Sequence, residues 1–251
     1  MKNIAIAATL MLLSNYAFAC ADKGLVKKDS LDNCLSEAKQ DNLSDRRVVF
    51  VGGRSQEFIE TAKCYRKAAD QGNVMALYRL GHMHHRHPTR ADGLEEALKW
   101  YRKAADYGNA EAQNSLGFMH HYGQGVTQDF EEAVKWYTKA AEQGYANAQD
   151  NLGAIYYHGL IVNQDYKEAL KWFSKAAEQG NVNAQDGLGV MYHNGQGVIR
   201  DYKRAYMWFF IAAKNNHRGA VKIKRIMEVG MAQSQIEEAE DMAQKWMAAH
   251  R

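Results

Sequence analysis

The chain has 251 residues, of which 46% are hydrophobic and 24% are charged, and this composition is that of an ordinary globular protein able to bury a core. The formal net charge is +3. Without a leader that contains Lys2 it falls to +2, from 31 basic and 29 acidic residues, so charge gives no reason to expect a nucleic-acid partner. No later segment is apolar for long enough to span a bilayer, and we therefore expect no membrane span.

The N-terminal sequence MKNIAIAATLMLLSNYAFAC has the features of a secretory leader. Lys2 precedes an apolar run over 4–13, and the Ala-Phe-Ala sequence at 17–19 resembles a cleavage site. We therefore predict a signal peptide over 1–19 and export to the periplasm or beyond. Cys20 follows at once, where a bacterial lipoprotein carries its lipid. The flanking residues match that signal poorly, so a lipid anchor at Cys20 is the less favoured alternative.

Three cysteines occur in the chain, Cys20, Cys34 and Cys64. In an exported protein they allow one disulfide and one remaining thiol. We predict a bond between Cys34 and Cys64, because both lie on predicted helices of the first helical pair. The other two pairings remain open.

The rest of the chain repeats with a period of 36 residues. This spacing separates four tryptophans and four leucines, each leucine followed by glycine: Trp100, Trp136, Trp172, Trp208, Leu80, Leu116, Leu152 and Leu188. Such regularity indicates a repeat architecture. In each unit the apolar residues recur at helical spacing in two segments, which predicts a pair of helices per repeat.

Capping residues predict where these helices begin and end. Asn109 and Asp129 stand at helix starts, and Gly108, Gly144 and Gly180 stand where a left-handed residue ends a helix. Glycine also recurs inside helices, as at Gly117, where it costs about 1 kcal/mol relative to alanine. We expect the partner helix to approach closely there, with paired alanines such as Ala140 and Ala141 supplying small faces at the same junction.

The second unit carries a pattern of small, apolar and turn residues that recurs at most positions one unit later: Ala112, Leu116, Gly117, Gly123, Gly125, Val126, Asp129, Ala133, Trp136, Tyr137, Ala140, Ala141 and Gly144. This pattern resembles the Sel-one-like repeat family of the tetratricopeptide superfamily, over about residues 57–248. The resemblance implies an all-α fold, a right-handed α–α superhelix or tetratricopeptide-like solenoid of helix-turn-helix repeats. The chain departs from the pattern at Cys64, at His84 and His120, in the first loop and at Ile161.

The resemblance also predicts a domain organisation. Four full repeats cover 74–109, 110–145, 146–181 and 182–217. A degenerate N-terminal cap with a helix precedes them over 20–73, and capping helices follow over 218–251. In this C-terminal cap, Ser234 and Glu237 suggest a capping-box start, and the apolar stripe Ile236, Ala239, Ala243 and Trp246 is expected to cover the apolar sequence YMWFFIAA of the last repeat.

If the resemblance holds, the first helix of each repeat lines a concave groove that binds an extended peptide or a partner's helix. The leucine and glycine stay constant while the predicted groove residues change, as expected for a recognition surface. These residues are Tyr78, His82, His85 and Arg86 in the first repeat, Asn114, Phe118, His121 and Tyr122 in the second, Asp150, Ala154, Tyr157 and His158 in the third, and Asp186, Val190, His193 and Asn194 in the fourth.

Three other patterns point weakly to chemistry. Ser36 and Lys39 have the Ser-x-x-Lys spacing of penicillin-binding proteins and β-lactamases, but the accompanying motifs are missing. The Gly-x-Gly pairs follow no strand, so we interpret them as turns. Six clustered histidines suggest zinc, but equivalent positions of stacked helices lie about 10 Å apart; they are His82, His84, His85, His87, His120 and His121. We therefore expect no metal, no cofactor and no enzymatic activity.

The sequence thus favours an exported, monomeric interaction scaffold or adaptor for a protein or peptide, in host interaction or envelope processes. Two alternatives remain open. One is a periplasmic immunity protein that neutralises a toxin, and the other is a penicillin-binding or β-lactamase-like serine hydrolase.

Overall fold

A computed structural model describes residues 50–51, 54–86, 92–159 and 162–250 of the chain. Several predictions fall outside these ranges: the signal peptide over 1–19, Cys20, Cys34, Ser36, Lys39, His87 and Ile161. Cys64 is disulfide-bonded, and its partner lies outside the described residues, so the pairing with Cys34 stays a prediction. None of the helices in the described ranges is long and apolar enough to cross a membrane.

The chain forms two compact units. Of the described residues, the first comprises 50–51, 54–86, 92–112 and 124–126. It contains a short antiparallel hairpin, β1 (Phe50–Val51) with β2 (Arg54–Ser55), in which Phe50 pairs with Ser55. Helices α1 (Gln56–Asp70), α2 (Val74–Arg86) and α3 (Asp92–Asp106) follow, and each packs on the next.

The second unit comprises residues 113–123 and 127–251. It contains most of α4 (Ala110–Tyr122) and all seven following helices, which are α5 (Phe130–Glu142), α6 (Ala146–His158), α7 (Tyr166–Glu178), α8 (Val182–Asn194), α9 (Tyr202–Lys214), α10 (Arg218–Gly230) and α11 (Gln233–Ala249). From α5 to α10 each helix packs on the next one along the chain, and α11 packs on α9. This arrangement confirms the predicted all-α, tetratricopeptide-like solenoid fold.

The capping residues act as the sequence predicts. The Asp129 carboxylate accepts the Glu132 N–H at 2.9 Å, and the Asn109 side chain accepts the Ala112 N–H at 2.7 Å. Gly108 and Gly144 have φ of +84° and +90°, a conformation that glycine adopts without strain. Gly108 and Asn109, for example, follow the end of α3 at Asp106 and precede the start of α4 at Ala110.

The glycines inside the first helices do make room for the partner helix, but the alanine pairs do not fill that room. A Cβ placed on Gly117 would lie 2.7 Å from the ring of Tyr137, and one on Gly153 would lie 2.5 Å from the ring of Phe173. Gly81 and Gly189 stand in the same relation to Tyr101 and Phe209. Sequence analysis expected paired alanines at this junction, whereas the atoms nearest to each glycine belong to an aromatic ring of the second helix.

A ladder of buried amides, which the sequence analysis did not identify, links the helices of the second unit. Gln149 donates to the Ala141 carbonyl at 3.1 Å and accepts from Gln179 at 2.8 Å. The same side chain-to-side chain bond joins Gln143 to Gln113, at 2.6 Å. Gln185 repeats the pattern with the Ala177 carbonyl and Asn215. The amides of Gln149 and Gln185 therefore pair both donor and acceptor, as burial of a polar group requires.

The C-terminal helices cover the apolar end of the last repeat, as predicted. Ile236, Ala239 and Ala243 are buried in one cluster with α9, and the Trp246 ring lies 5.2 Å from that of Trp208. The predicted capping box of Ser234 and Glu237 is wrong. Helix α11 begins at Gln233, and the Gln235 side chain accepts the backbone N–H of Ala232, which places Ser234 within the first turn.

Candidate functional site

The first-repeat residues predicted to face a partner lie on α2, in the first unit. His85 is held in place there, because its Nε2 lies 2.7 Å from Oε1 of Gln124 and its Nδ1 lies 3.4 Å from the Tyr101 hydroxyl. The Tyr78 ring packs 5.8 Å from the Tyr101 ring and 6.1 Å from that of His82. Arg86 is exposed at the end of the helix.

In the second unit, residues of α4 and α6 surround a cavity of about 260 Å³. Five of its lining residues were predicted from the sequence, and three were not. Predicted residues lining the cavity are Phe118, His121, Tyr122, Ala154 and His158; the others are Tyr137, Asn151 and Ile155. Its volume is below the range of roughly 300–1,000 Å³ that is usual for sites holding a whole small ligand. It suits a single side chain of a larger partner.

Exposed aromatic rings form one wall of this cavity. Phe118 is 37% and Tyr122 58% exposed, and their ring centroids lie 4.5 Å apart. The His121 ring contacts Tyr122 at 4.6 Å and meets Phe130 edge-on at 5.3 Å. Tyr137, which packs on Gly117, is buried at the base. Burial raises the pKa of Tyr137 well above its ordinary value, so its hydroxyl stays protonated.

His121 carries a buried polar atom at the cavity. Its Nδ1 is buried and makes no hydrogen bond within the part of the chain that the structure describes. Burial lowers the pKa of His121, so the neutral imidazole is favoured at pH 7. A buried nitrogen without a partner is costly, and a ligand that supplies a hydrogen bond there would offset that cost.

Corresponding residues in other repeats explain why His121 differs. His85 and Tyr157 occupy the same repeat position, and each contacts a glutamine in the turn of the following repeat. Tyr157 donates to Gln196 at 2.9 Å, as His85 pairs with Gln124. The glutamine position for His121 is occupied by Leu160, whose side chain cannot hydrogen-bond.

Two aspartates, Asp150 and Asp186, lie at equivalent positions on α6 and α8. Burial raises the pKa of Asp150 to about 6, although a hydrogen bond from Asn183 acts in the opposite direction. Among the described residues no cation contributes to the surroundings of Asp150. Burial also raises the pKa of Asp186, but the imidazole of His217 counteracts it from 3.2 Å.

The contact between His217 and Asp186 depends on protonation. His217 Nδ1 accepts the Ala220 N–H at 3.2 Å and thereby caps α10. A nitrogen that accepts this bond carries no proton to donate to the carboxylate. Neutral His217 therefore caps the helix, and protonated His217 pairs with Asp186.

The remaining predicted residues lie apart from the cavity lining. Tyr157 packs at 5.5 Å on Tyr166, which also accepts a hydrogen bond from Gln196, so it is part of the scaffold of the following turn. His193 packs edge-on against Tyr202 at 5.4 Å, beside Asn194. The amide of Asn114 accepts from Asn151 at 2.9 Å, which links α4 to α6 next to the cavity.

The histidines that suggested zinc do not form a metal site in the described ranges, where no group of three potential ligands comes together. His84 and His120 are buried. His82, His84 and His85 lie on α2. His121 and His158 both line the cavity, with no carboxylate among the lining residues. The cavity lining therefore consists of aromatic rings, two imidazoles, one amide and two aliphatic side chains.

Comparison with known proteins assigns the family. A model described as the Sel1 repeat matches residues 52–73, 74–109, 110–145, 146–181 and 182–217, which is more than half of the chain. The chain belongs to the Sel1 repeat family. The match over 52–73 adds a partial Sel1 repeat within the segment interpreted from the sequence as a degenerate cap. No curated protein matches the chain.

Several solved structures resemble this Sel1 repeat protein. One from Oxalobacter formigenes, also a Sel1 repeat protein, is 29% identical with a TM-score of 0.67, covering 88% of this chain and 91% of the other. A protective antigen of uropathogenic Escherichia coli is 30% identical with a TM-score of 0.49, over 87% and 53%. An immunity protein from Pseudomonas aeruginosa is 18% identical with a TM-score of 0.49, over 86% and 83%. Of these three, the first supports the solenoid fold, and the other scores are too low to carry an argument.

Proposed function

We propose that this Sel1 repeat protein is an exported, monomeric and non-enzymatic interaction module, which binds a protein partner through the cavity between α4 and α6. The observation that carries the proposal is the exposed pair Phe118 and Tyr122 beside a cavity sized for one side chain. Aromatic residues around a pocket are typical of the residues that dominate binding energy at protein interfaces. The leader-like sequence over 1–19 supports export to the periplasm or beyond.

The partner would belong to an envelope process or to a host. Sel1 repeats form a scaffold fold, and the surface that varies between repeats is the one that can specialise while the constant residues hold the helices together. Tyr157 is a poor choice for testing this proposal, because its hydroxyl bonds to Gln196 and its loss would disturb the turn. Phe118 and Tyr122 are better, since both are exposed.

The proposal is tested by affinity capture from the envelope fraction of the producing cell and from host extract. The double variant Phe118→Ala, Tyr122→Ala should lose a protein that the wild type retains. The matched control, Tyr107→Ala with Ile199→Ala, removes two apolar side chains that are 69% and 92% exposed elsewhere and should retain it. Equal capture by all three proteins would overturn the proposed surface. Cell fractionation with and without residues 1–19 tests export.

A further inference from the structure

Helix α10 has the register of a first helix, but the helix that follows it packs elsewhere. Arg218–Gly230 begins 36 residues after Val182–Asn194, so each of its residues has an equivalent on α8. On α8, the side that contains Gly189 is covered by an aromatic ring of α9. After α10, by contrast, α11 packs on α9. The residue of α10 equivalent to Gly189 is Arg225, which is exposed.

The exposed side of α10 is basic and aliphatic. With about 3.6 residues per turn, five exposed side chains fall within an arc of roughly 100°, opposite the buried Ala220 and Met227. Ile226 is 72% and Val229 is 90% exposed. The other three side chains of the arc are cations. We call this arc the basic stripe, and its residues are Arg218, Lys222, Arg225, Ile226 and Val229.

The cations of the basic stripe form no ion pair within the described part of the chain. The carboxylate of α10, Glu228, pairs with Lys224 outside the stripe and interacts with Arg225 only at longer range. The equivalent of Lys222 on α8 is Asp186, so the sign of the charge at this position reverses on α10. A partner that carries acidic residues would supply the opposite charges that the stripe lacks.

We infer that the basic stripe binds an acidic, amphipathic helix of a partner protein, in the place that a second helix occupies in the four repeats. In each of those repeats an aromatic ring of the second helix covers the equivalent side of the first helix. Side chains three and four residues apart lie on one face of a helix, so an added helix can present apolar and acidic residues together. Its aliphatic residues would pack on Ile226 and Val229, and its carboxylates would pair with the cations.

This complex combines two favourable contributions, the burial of exposed aliphatic side chains and the pairing of opposite charges. The basic stripe shares no residue with the cavity between α4 and α6. The inference therefore goes beyond the proposed function, because it assigns a second surface and a different kind of partner.

Two other occupants fit the basic stripe less well. Anionic bilayers are recognised by clusters of roughly four to eight basic residues, whereas the stripe has three. A second copy of this chain would offer the exposed carboxylates of α11, which are Glu237, Glu238 and Asp241. The apolar stripe of α11 is buried against α9, however, so a second copy would bring no free apolar residues to Ile226 and Val229.

A library of single helices, displayed on yeast with one face randomised and selected on the full chain, tests the inference. On the wild type, enriched helices should carry Asp or Glu three or four positions from Leu, Ile or Val. On the triple variant Arg218→Gln, Lys222→Gln, Arg225→Gln, this acidic preference should fall about tenfold. Circular dichroism and urea unfolding verify that the variant is folded.

A matched control removes the same charges elsewhere. Arg102→Gln, Lys167→Gln, Arg200→Gln replaces two arginines and one lysine that are also exposed, and it should keep the acidic preference. The double variant Ile226→Ser, Val229→Ser should instead reduce the preference for aliphatic residues and leave the acidic preference in place.

Three outcomes would overturn the inference: an acidic preference that the triple variant retains, a preference for basic residues, or no enriched helix on the wild type. Binding to phosphatidylglycerol vesicles that the triple variant loses, without helix enrichment, would assign the stripe to a bilayer. A dimer in light scattering that the triple variant loses would assign it to a second copy. None of these outcomes decides the proposed function, because Phe118→Ala, Tyr122→Ala should keep the acidic preference while it loses the captured protein.

Discussion

The two faces of the first helices obey different constraints. On the inner face, the pair represented by Leu152 and Gly153 is the same in all four repeats, because an aromatic ring of the second helix occupies the space that each glycine leaves. The outer face of the same helix changes from repeat to repeat, and in the second and third repeats it surrounds a cavity. Positions that stay constant between repeats therefore indicate the scaffold, and positions that vary indicate the candidate recognition surface.

Equivalent side chains on the outer face differ in whether they are hydrogen-bonded to a turn glutamine. At His85 and Tyr157 a hydrogen bond to a turn glutamine fixes the side chain. At His121 that glutamine is replaced by Leu160, and the imidazole faces a cavity. Replacement of the turn glutamine by Leu160 thus accompanies the change from side chains that are hydrogen-bonded to a turn, as at His85 and Tyr157, to one that lacks this bond, as at His121.

The strongest way to break the inner face is Gly153→Ala. The new methyl would lie 2.5 Å from the ring of Phe173, and overpacking of this kind costs roughly 1–3 kcal/mol or more. Alanine returns about 1 kcal/mol through its higher helix propensity. At the upper end of the overpacking range, this gives a net loss of about 2 kcal/mol in the free energy of unfolding, measured by urea denaturation.

A matched control separates crowding from the effect of alanine itself. Gly230 lies in helix α10, and a Cβ added there would meet no atom within 4 Å. Gly230→Ala should therefore be neutral or stabilising by up to about 1 kcal/mol. If Gly153→Ala is no worse than Gly230→Ala, the ring contact does not explain why the inner glycine recurs.

Much of this architecture is predictable because the repeat is regular. The spacing of tryptophans and leucines defines the helix pairs, and Asp129 and Asn109 define helix starts, since a capping bond is local in sequence. The partner of Gly153 was not predicted, because a missing Cβ does not reveal which side chain fills its space. The amide ladder was missed although Gln113, Gln149 and Gln185 recur at the repeat spacing.

The cavity was predicted only in part, for a physical reason. The offset from the Leu-Gly pair correctly groups Phe118 and Tyr122 on one surface, but it cannot show that Asn151 and Ile155 approach them from α6. That approach depends on how helices of successive repeats pack. The available signal was the loss of the turn glutamine at Leu160, which distinguishes this repeat from the one after it.

On the outer face, Asp150 should reduce stability at neutral pH. Its pKa is about 6 in the folded protein against an ordinary value of 3.8, so the folded state holds a proton that the unfolded state releases. Stability should therefore fall as pH rises from about 4 to 6 and remain lower above that range, by about 2 kcal/mol. Asp150→Asn should gain about this amount at pH 7.5 and little at pH 4.

The difference between Asp150→Asn and wild type, followed by urea unfolding across this pH range, isolates the one carboxylate. Asp186→Asn serves as the comparison, because His217 lies close enough to oppose the effect of burial there. A stability difference between wild type and Asp150→Asn that does not change with pH would contradict the prediction.

The smallest effect concerns a buried position at which the first repeat differs from the other three. Leu77 stands in the first repeat where Gln113, Gln149 and Gln185 stand later, so leucine fits this position. Gln149→Leu would remove the donor to the Ala141 carbonyl and the acceptor for Gln179. The Ala141 carbonyl would keep its bond from the Gly144 N–H at 3.0 Å, so the cost is that of the lost hydrogen bonds, about 0.5–1.5 kcal/mol each. Burial of leucine partly offsets this cost, and we expect a net loss of about 1 kcal/mol.

Gln179→Ala provides the control for this last measurement, because it removes only the outer bond of the ladder and Gln179 is exposed. It should change the free energy of unfolding by less than about 0.5 kcal/mol. If Gln149→Leu were instead neutral or stabilising, glutamine would recur there without being needed for stability. The amide ladder would then fix the register of one repeat on the next, and constancy on the inner face would reflect geometry as well as energy.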